Sequence, residues 1–198
     1  MGTQCKNPVI YILMNKPSGY VCSSVSDSHK TVYELLPQEL QELLKAKRGA
    51  RLHTVGRLDC DTTGLLLLTT DGFFSDRITR QENNIEKCYQ VELKNKVSEE
   101  EKIKITKLFL QGLTLPAQKK APEQNISDAQ VTFTGDRQAL VTIKQGLFHQ
   151  VKRMFLAVGN EVLSLKRKSI GPLMLPEDLQ EGQWRYLSDS ETGSLKLN

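Results

Sequence analysis

No apolar run in this chain is long enough to cross a bilayer. The longest, Val9 to Met14, falls far short of the roughly 20 residues a spanning helix needs. The stretch before it, Met1 to Pro8, carries a lysine but no apolar h-region, so no secretory signal is visible. Cysteine is sparse. Cys5, Cys22, Cys60 and Cys88 include no Cys-x-x-Cys pair, which argues against a zinc ribbon or a thioredoxin-like site. Cys22 and Cys88 sit in strand-like runs and read as buried thiols. Histidine is sparser still: His29, His53 and His149 lack metal-ligand spacing, and no structural metal is expected. Internal repeats, low-complexity tracts and flexible linkers are absent. These absences together indicate a reducing, cytoplasmic setting with no membrane partner.

What remains is an ordinary globular composition. With 38% apolar and 25% charged residues, the chain is not a disordered one, and 198 residues suffice for one large domain or two small lobes. The net charge of +4 says little, but its distribution says more. Lys45, Lys47, Arg48, Arg51 and Arg57 form a stretch without an acidic residue. Lys152, Arg153, Lys166, Arg167 and Lys168 form another, against Glu161 alone. Such stretches suit a polyanion such as RNA, and they equally suit solvated faces.

Hydrophobic patterning gives an α+β chain. Val9–Met14 reads as a buried strand stopped by Lys16-Pro17-Ser18-Gly19, with a strand resuming over Tyr20–Ser23. Pro37 suits the first turn of a short helix carrying Leu40, Leu43 and Leu44. Leu65–Leu68 reads as a strand ended by Asp71-Gly72. Lys87–Leu93 alternates, with Tyr89, Val91 and Leu93 on one side. Ser98 and Glu101 form a capping box that opens a helix ending at Gly112. A hairpin over Ala129–Thr134 and Gln138–Lys144, a helix over His149–Val158 and strands over Glu161–Lys166 and Gly182–Leu187 follow. Residues 1–8 and 188–198 read as tails around a domain spanning 9–187.

Three places can carry chemistry. Gly56-Arg57-Leu58-Asp59-Cys60-Asp61-Thr62-Thr63-Gly64 puts an arginine and two carboxylates in a glycine-bracketed loop ahead of a buried strand, a rigid place to present a reactive group. Asp59 there suits a nucleophile, a general base, a metal ligand or a plain turn cap. Asp59 with Asp61 also suggests a glycosidase-like pair, although a two-residue spacing does not fix their separation. In the helix after His149, Val151, Met154, Phe155 and Val158 share an apolar face, while His149, Lys152 and Arg153 fall opposite. Cations at a helix start oppose its dipole, which points to an anionic partner there. Tyr89, judged alone, reads more readily as a core tyrosine than as a catalytic one.

Across Tyr11 to about Leu187 these segments, in this order, resemble the bacterial rRNA pseudouridine synthases, and among them the small-subunit (16S) branch. The resemblance rests on Met14–Ser23, Gly56–Leu65, Lys87-Cys88-Tyr89, Phe148–Gly159, Gly171-Pro172-Leu173 and the closing Leu179–Leu187. It implies a mixed, mainly antiparallel sheet with flanking helices, in two sublobes around an RNA cleft. It implies an isomerase that converts a specific uridine of 16S rRNA to pseudouridine, a reaction that oxidises nothing and loses no group, so that no cofactor or metal is expected. Asp59 matches the essential aspartate, Tyr89 the tyrosine that packs on uracil and takes the C5 proton, and Lys152 the basic residue paired with the aspartate. Arg57 is expected to contact the flipped nucleotide or its phosphate. Lys16, His149, Gln150, Arg153, Lys166 and Arg167 are expected to bind the RNA, Lys166 and Arg167 through phosphates on the surface. The 16S branch normally carries an S4-type RNA-binding module ahead of the catalytic part. Here the first strand begins about ten residues from Met1, so that module is expected to be missing. A monomer acting on rRNA or a small-subunit assembly intermediate is the expectation. The alternatives are a synthase acting on 23S rRNA, a silent RNA-binding or ribosome-assembly protein, and an N-glycosidase using Asp59 and Asp61.

Overall fold

The computed structural model describes residues 9–47, 50–118 and 121–196. The expected tail 1–8, with Cys5, and Arg48 of the first basic stretch lie outside the described residues. In chain order the strands are β1 (Tyr11–Lys16), β2 (Tyr20–Val21), β3 (Lys30–Thr31), β4 (His53–Val55), β5 (Thr63–Thr69), β6 (Lys87–Leu93), β7 (Leu113–Leu115), β8 (Gln124–Ile126), β9 (Gln130–Phe133), β10 (Gln138–Ile143), β11 (Val162–Ile170), β12 (Leu173–Met174) and β13 (Trp184–Tyr186). The α-helices are α1 (Gln38–Glu42), α2 (Gly72–Thr79), α3 (Glu99–Gln111), α4 (Gln150–Ala157) and α5 (Asp189–Lys196).

The main sheet runs β13-β1-β5-β11-β6-β10-β9, with β4 added to β5 and β12 to β11. Every pairing in it is antiparallel except β5 with β11. The centre of this sheet is covered on both faces, which is why β1 and β5 read as unbroken apolar runs rather than alternating ones. Leu66 and Leu68 join Ile12, Met14, Tyr89 and Val91 on one face, packed with Phe109 of α3 and Val151, Met154 and Phe155 of α4. Leu65 and Leu67 join Leu13 on the other, packed with Phe74 and Ile78 of α2 and Leu195 of α5. Full burial of each such leucine contributes about 1.5–3 kcal/mol.

The Ser98–Glu101 capping box, the stop at Gly112 and the β9–β10 hairpin stand as expected. Four readings need correction. Asp71-Gly72 does not simply turn the chain: the Asp71 carboxylate accepts from the Phe73 and Phe74 amides and starts α2. Residues 188–198 are not a tail over their described part. Ser188 and Glu191 exchange hydrogen bonds across the first turn of α5, and Leu195 is buried. The strand expected over Glu161–Lys166 runs on to Ile170 because it is hydrogen-bonded to both β5 and β6. Cys88 points away from the Tyr89 face of β6 and is half-buried, and Cys22 is buried but lies just past β2.

Candidate active site

The loop 56–62 reaches β5 under three restraints. The Lys16 ammonium, fully buried at the end of β1, donates to the carbonyls of Cys60 at 3.1 Å, Thr62 at 2.8 Å and Pro17 at 3.0 Å. The Gly19 amide also donates to Cys60 O, at 2.9 Å. Cys22 Sγ exchanges contacts with the Leu58 carbonyl and amide at 3.5 and 3.4 Å. Burial pushes the Lys16 ammonium below its ordinary range, and the carbonyl cradle is what keeps the charge tolerable inside. Lys16 is therefore a strut beneath the loop and not an RNA contact, a correction to its expected role. Lys16→Met is expected to strip the Thr62 carbonyl of the Lys16 hydrogen bond and leave Cys60 O to the Gly19 amide alone, lowering stability by about 2–4 kcal/mol. It should also let Asp59 drift, slowing turnover by roughly 10²-fold. Thermal unfolding and single-turnover rates on the same variant check both, and a stable, fully active Lys16→Met protein would refute the strut.

Held this way, Asp59 faces the start of α4. His149 is the N-cap of α4 and adopts a left-handed backbone with φ 48°. Its Nε2 lies 3.5 Å from Asp59 Oδ1, its Nδ1 lies 3.2 Å from Gln118 Oε1, and its ring stacks on Phe148. Lys152 Nζ lies 3.6 Å from Asp59 Oδ2. The expected pairing of Lys152 with Asp59 is thus present but shared. Its short hydrogen bonds, 2.6 and 2.8 Å, go to both oxygens of Asp61. Partial burial pulls the Asp61 carboxyl upward, but the Lys152 hydrogen bond and charge outweigh it and hold Asp61 below the usual carboxylate range. Asp61 is thereby the lysine's anchor, a role the sequence reading missed.

A cleft of about 520 Å³ opens over Asp59. Arg57, Tyr89, Phe148, His149, Gln150 and Val151 line it together with Asp59. Arg57 is exposed, and no carboxylate lies within 4 Å of its guanidinium among the described residues, so it is available to an anionic ligand. Tyr89 is buried at the cleft floor, beside Leu165. Gln150 lines the cleft but is 5% exposed, and its Oε1 accepts from the Leu147 amide, closing the turn into α4.

Besides Lys16, three of the expected RNA contacts do not face the cleft. Arg153 is fully buried: its guanidinium donates to the carbonyls of Leu115, Pro116, Pro122 and Phe148 and to Gln124 Oε1, tying the β7–β8 ribbon to α4. Lys166 is half-buried and pairs with Glu181 at 3.7 Å. Arg167 is 4% exposed and lies behind Tyr89, so it cannot be a surface phosphate contact. Changing it would therefore perturb the interior and not merely RNA affinity.

Lys87, on the same face of β6 as Tyr89, is also buried and donates to the carbonyls of Ile85 and Lys144. Burial first, and the charge of Arg167 second, push its ammonium from 10.5 down to about 8. Between those two values the unfolded chain binds more protons than the folded one, so the contribution of Lys87 to stability rises with pH across that window. The stability difference between wild type and Lys87→Met should accordingly shift in favour of wild type from pH about 8 to about 10. Denaturant unfolding at a series of pH values measures it, and a flat difference would show that Lys87 keeps its proton in the folded protein across that window and is not depressed by burial.

No described helix is long and apolar enough to cross a membrane. Residues 10–157 match the family described as RNA pseudouridylate synthase. Two relatives called ribosomal small subunit pseudouridine synthase A are similar over 185 residues, 93% of this chain. The one from Yersinia pestis is 38% identical and matched over 72% of its length; the one from Escherichia coli (strain K12) is 39% identical and matched over 73%. A solved structure described as the crystal structure of pseudouridylate synthase superposes with a TM-score of 0.83 at 38% identity, over 96% of this chain and 75% of that one.

Proposed function

Because this chain belongs to the RNA pseudouridylate synthase family, we propose that its substrate is a uridine of 16S rRNA and that Asp59 is its nucleophile. The observation that carries the site assignment is the Asp59 carboxylate in the cleft, 3.5 Å from His149 Nε2 and 3.6 Å from Lys152 Nζ, with Tyr89 in the same wall. The reaction breaks the N1–C1′ bond, turns the uracil and joins C5 to C1′. C5 loses a proton and N1 gains one, so the composition of the RNA is unchanged. Asp59 at C1′ traps or stabilises the cationic sugar, or assists its deprotonation to a glycal. Tyr89 receives the flipped uracil and takes the C5 proton, stacking there offsetting the cost of leaving the RNA helix. Arg57, exposed at the rim, meets the phosphate of that nucleotide.

The 16S assignment follows the names of the small-subunit relatives, and it places the protein in the cytoplasm with the ribosome. A silent RNA-binding protein gives no role to a cleft carboxylate held beside Lys152 and His149. A glycosidase pair needs Asp61 free, and Lys152 occupies both its oxygens. Incubation with 16S rRNA or a small-subunit assembly intermediate should yield carbodiimide-detected pseudouridine and no free uracil. Pseudouridine formed on 23S rRNA alone would overturn the substrate, and free base would overturn the reaction.

A further inference from the structure

Arg167 is a buried cation without a counter-ion. It is 4% exposed, and no carboxylate lies within 4 Å of it among the described residues. Its Nε donates to Leu65 O at 2.7 Å, its Nη1 lies 3.5 Å from the Tyr89 hydroxyl, and its buried Nη2 has no partner among the described residues. The backbone places it there from both sides. Arg167 is the register partner of Tyr89 across β6–β11, so the two side chains stand on the same face. On the other side it is the register partner of Gly64, where a Cβ would sit 2.3 Å from the Arg167 carbonyl, so no larger residue permits that approach. A guanidinium stays protonated in any protein environment. Its neighbour Lys87 gives way instead, its ammonium pushed down to about 8 by burial and by Arg167. Burying an unpaired charge this way costs several kcal/mol, a poor arrangement unless a negative charge arises beside it at some stage.

Resting on the reading of Tyr89 as the group that removes the C5 proton, we propose that Arg167 is a positioning residue for Tyr89, supplying the buried positive charge that holds its oxygen in place and balances it when deprotonated. In the step concerned, the new C5–C1′ bond is already made and C5 still carries its hydrogen. The C5–H bond breaks, its electron pair restores the C5=C6 double bond, and N1 takes up a proton from solvent. The C5 proton passes to the Tyr89 oxygen and from there to solvent. To accept that proton the oxygen must first have released its own, and the Arg167 guanidinium is the group 3.5 Å away that matches the negative charge so formed.

A double-mutant cycle on the full chain tests this, read as single-turnover rates on 16S rRNA with RNA affinity and melting measured alongside. Arg167→Gln should slow the reaction about 30-fold or more when Tyr89 is present and less than about twofold in a Tyr89→Phe background, because the two residues act as a unit. RNA affinity should stay within about threefold, since Arg167 does not reach the surface. Should Arg167→Gln fail to fold, the cycle is read with Arg167→Lys, which keeps the charge at a shorter reach. A loss of about fivefold confined to the Tyr89 background then supports the proposal. An equal fold-loss in both backgrounds, or a loss of RNA affinity at unchanged rate, would overturn it. Tyr89→Phe turning over at the wild-type rate would overturn the underlying reading of Tyr89 and this inference with it, an outcome distinct from the failure of Arg167 alone.

Discussion

Asp59→Asn is expected to abolish isomerisation while leaving the RNA bound and the protein folded. The amide has nearly the shape of the carboxylate but cannot act as the nucleophile, and losses at such a position run to ~10⁴-fold or more. The fold should survive because little of the loop's geometry depends on that carboxylate. Lys16 holds the carbonyls of Cys60 and Thr62, Cys22 holds Leu58, and the Thr62 amide bonds the backbone carbonyl of residue 59. Lys152 keeps Asp61 as its partner in the variant. The contacts of Asp59 with His149 and Lys152, at 3.5 and 3.6 Å, are long and partly exposed, so neutralising the carboxylate should change stability by less than about 1 kcal/mol. Single-turnover rates within tenfold of wild type would remove Asp59 from the mechanism.

Tyr89→Phe separates a ring from a hydroxyl. Phe keeps the ring in the cleft wall and its packing on Val91 and Leu165, so RNA affinity should persist. The hydroxyl accepts a 3.5 Å contact from Arg167, and its removal should cost about 1 kcal/mol of stability. Turnover should fall by about 10²-fold or more if the oxygen takes the C5 proton. A variant that is slightly destabilised yet fully active would return Tyr89 to the hydrophobic core and leave the base to another group.

Much of this arrangement is legible in residue patterns. The Leu65–Leu68 run, the alternation around Tyr89 and the Ser98–Glu101 box each fix an element through local rules, and the glycine-bracketed loop marks the reactive carboxylate. Helix α5 was equally readable, since Ser188 and Glu191 repeat the spacing of Ser98 and Glu101; it was missed for want of an apolar face, Leu195 being its one buried leucine. The fates of the cations were not readable. Arg153 and Arg167 are written in a basic stretch and Lys16 beside a Pro-Ser-Gly turn, like any surface residues, yet all three are buried. What makes burial tolerable is a set of carbonyls remote in sequence: residues 60 and 62 for Lys16, 115, 116 and 122 for Arg153, and 65 for Arg167. No local period or composition records such a cradle. The same holds for Lys152, whose basic character is plain while its division between Asp59 and Asp61 depends on how the loop meets α4.

The most direct measurement uses 16S rRNA carrying tritium at C5 of its uridines, incubated with wild-type protein and with Asp59→Asn. Tritium released to water, carbodiimide-reactive residues and free uracil are counted in the same samples. Isomerisation through Asp59 requires one tritium released for each carbodiimide-reactive residue formed, no free uracil, and neither product with Asp59→Asn. Free uracil appearing in place of pseudouridine, or equal tritium release from the Asp59→Asn protein, would contradict it.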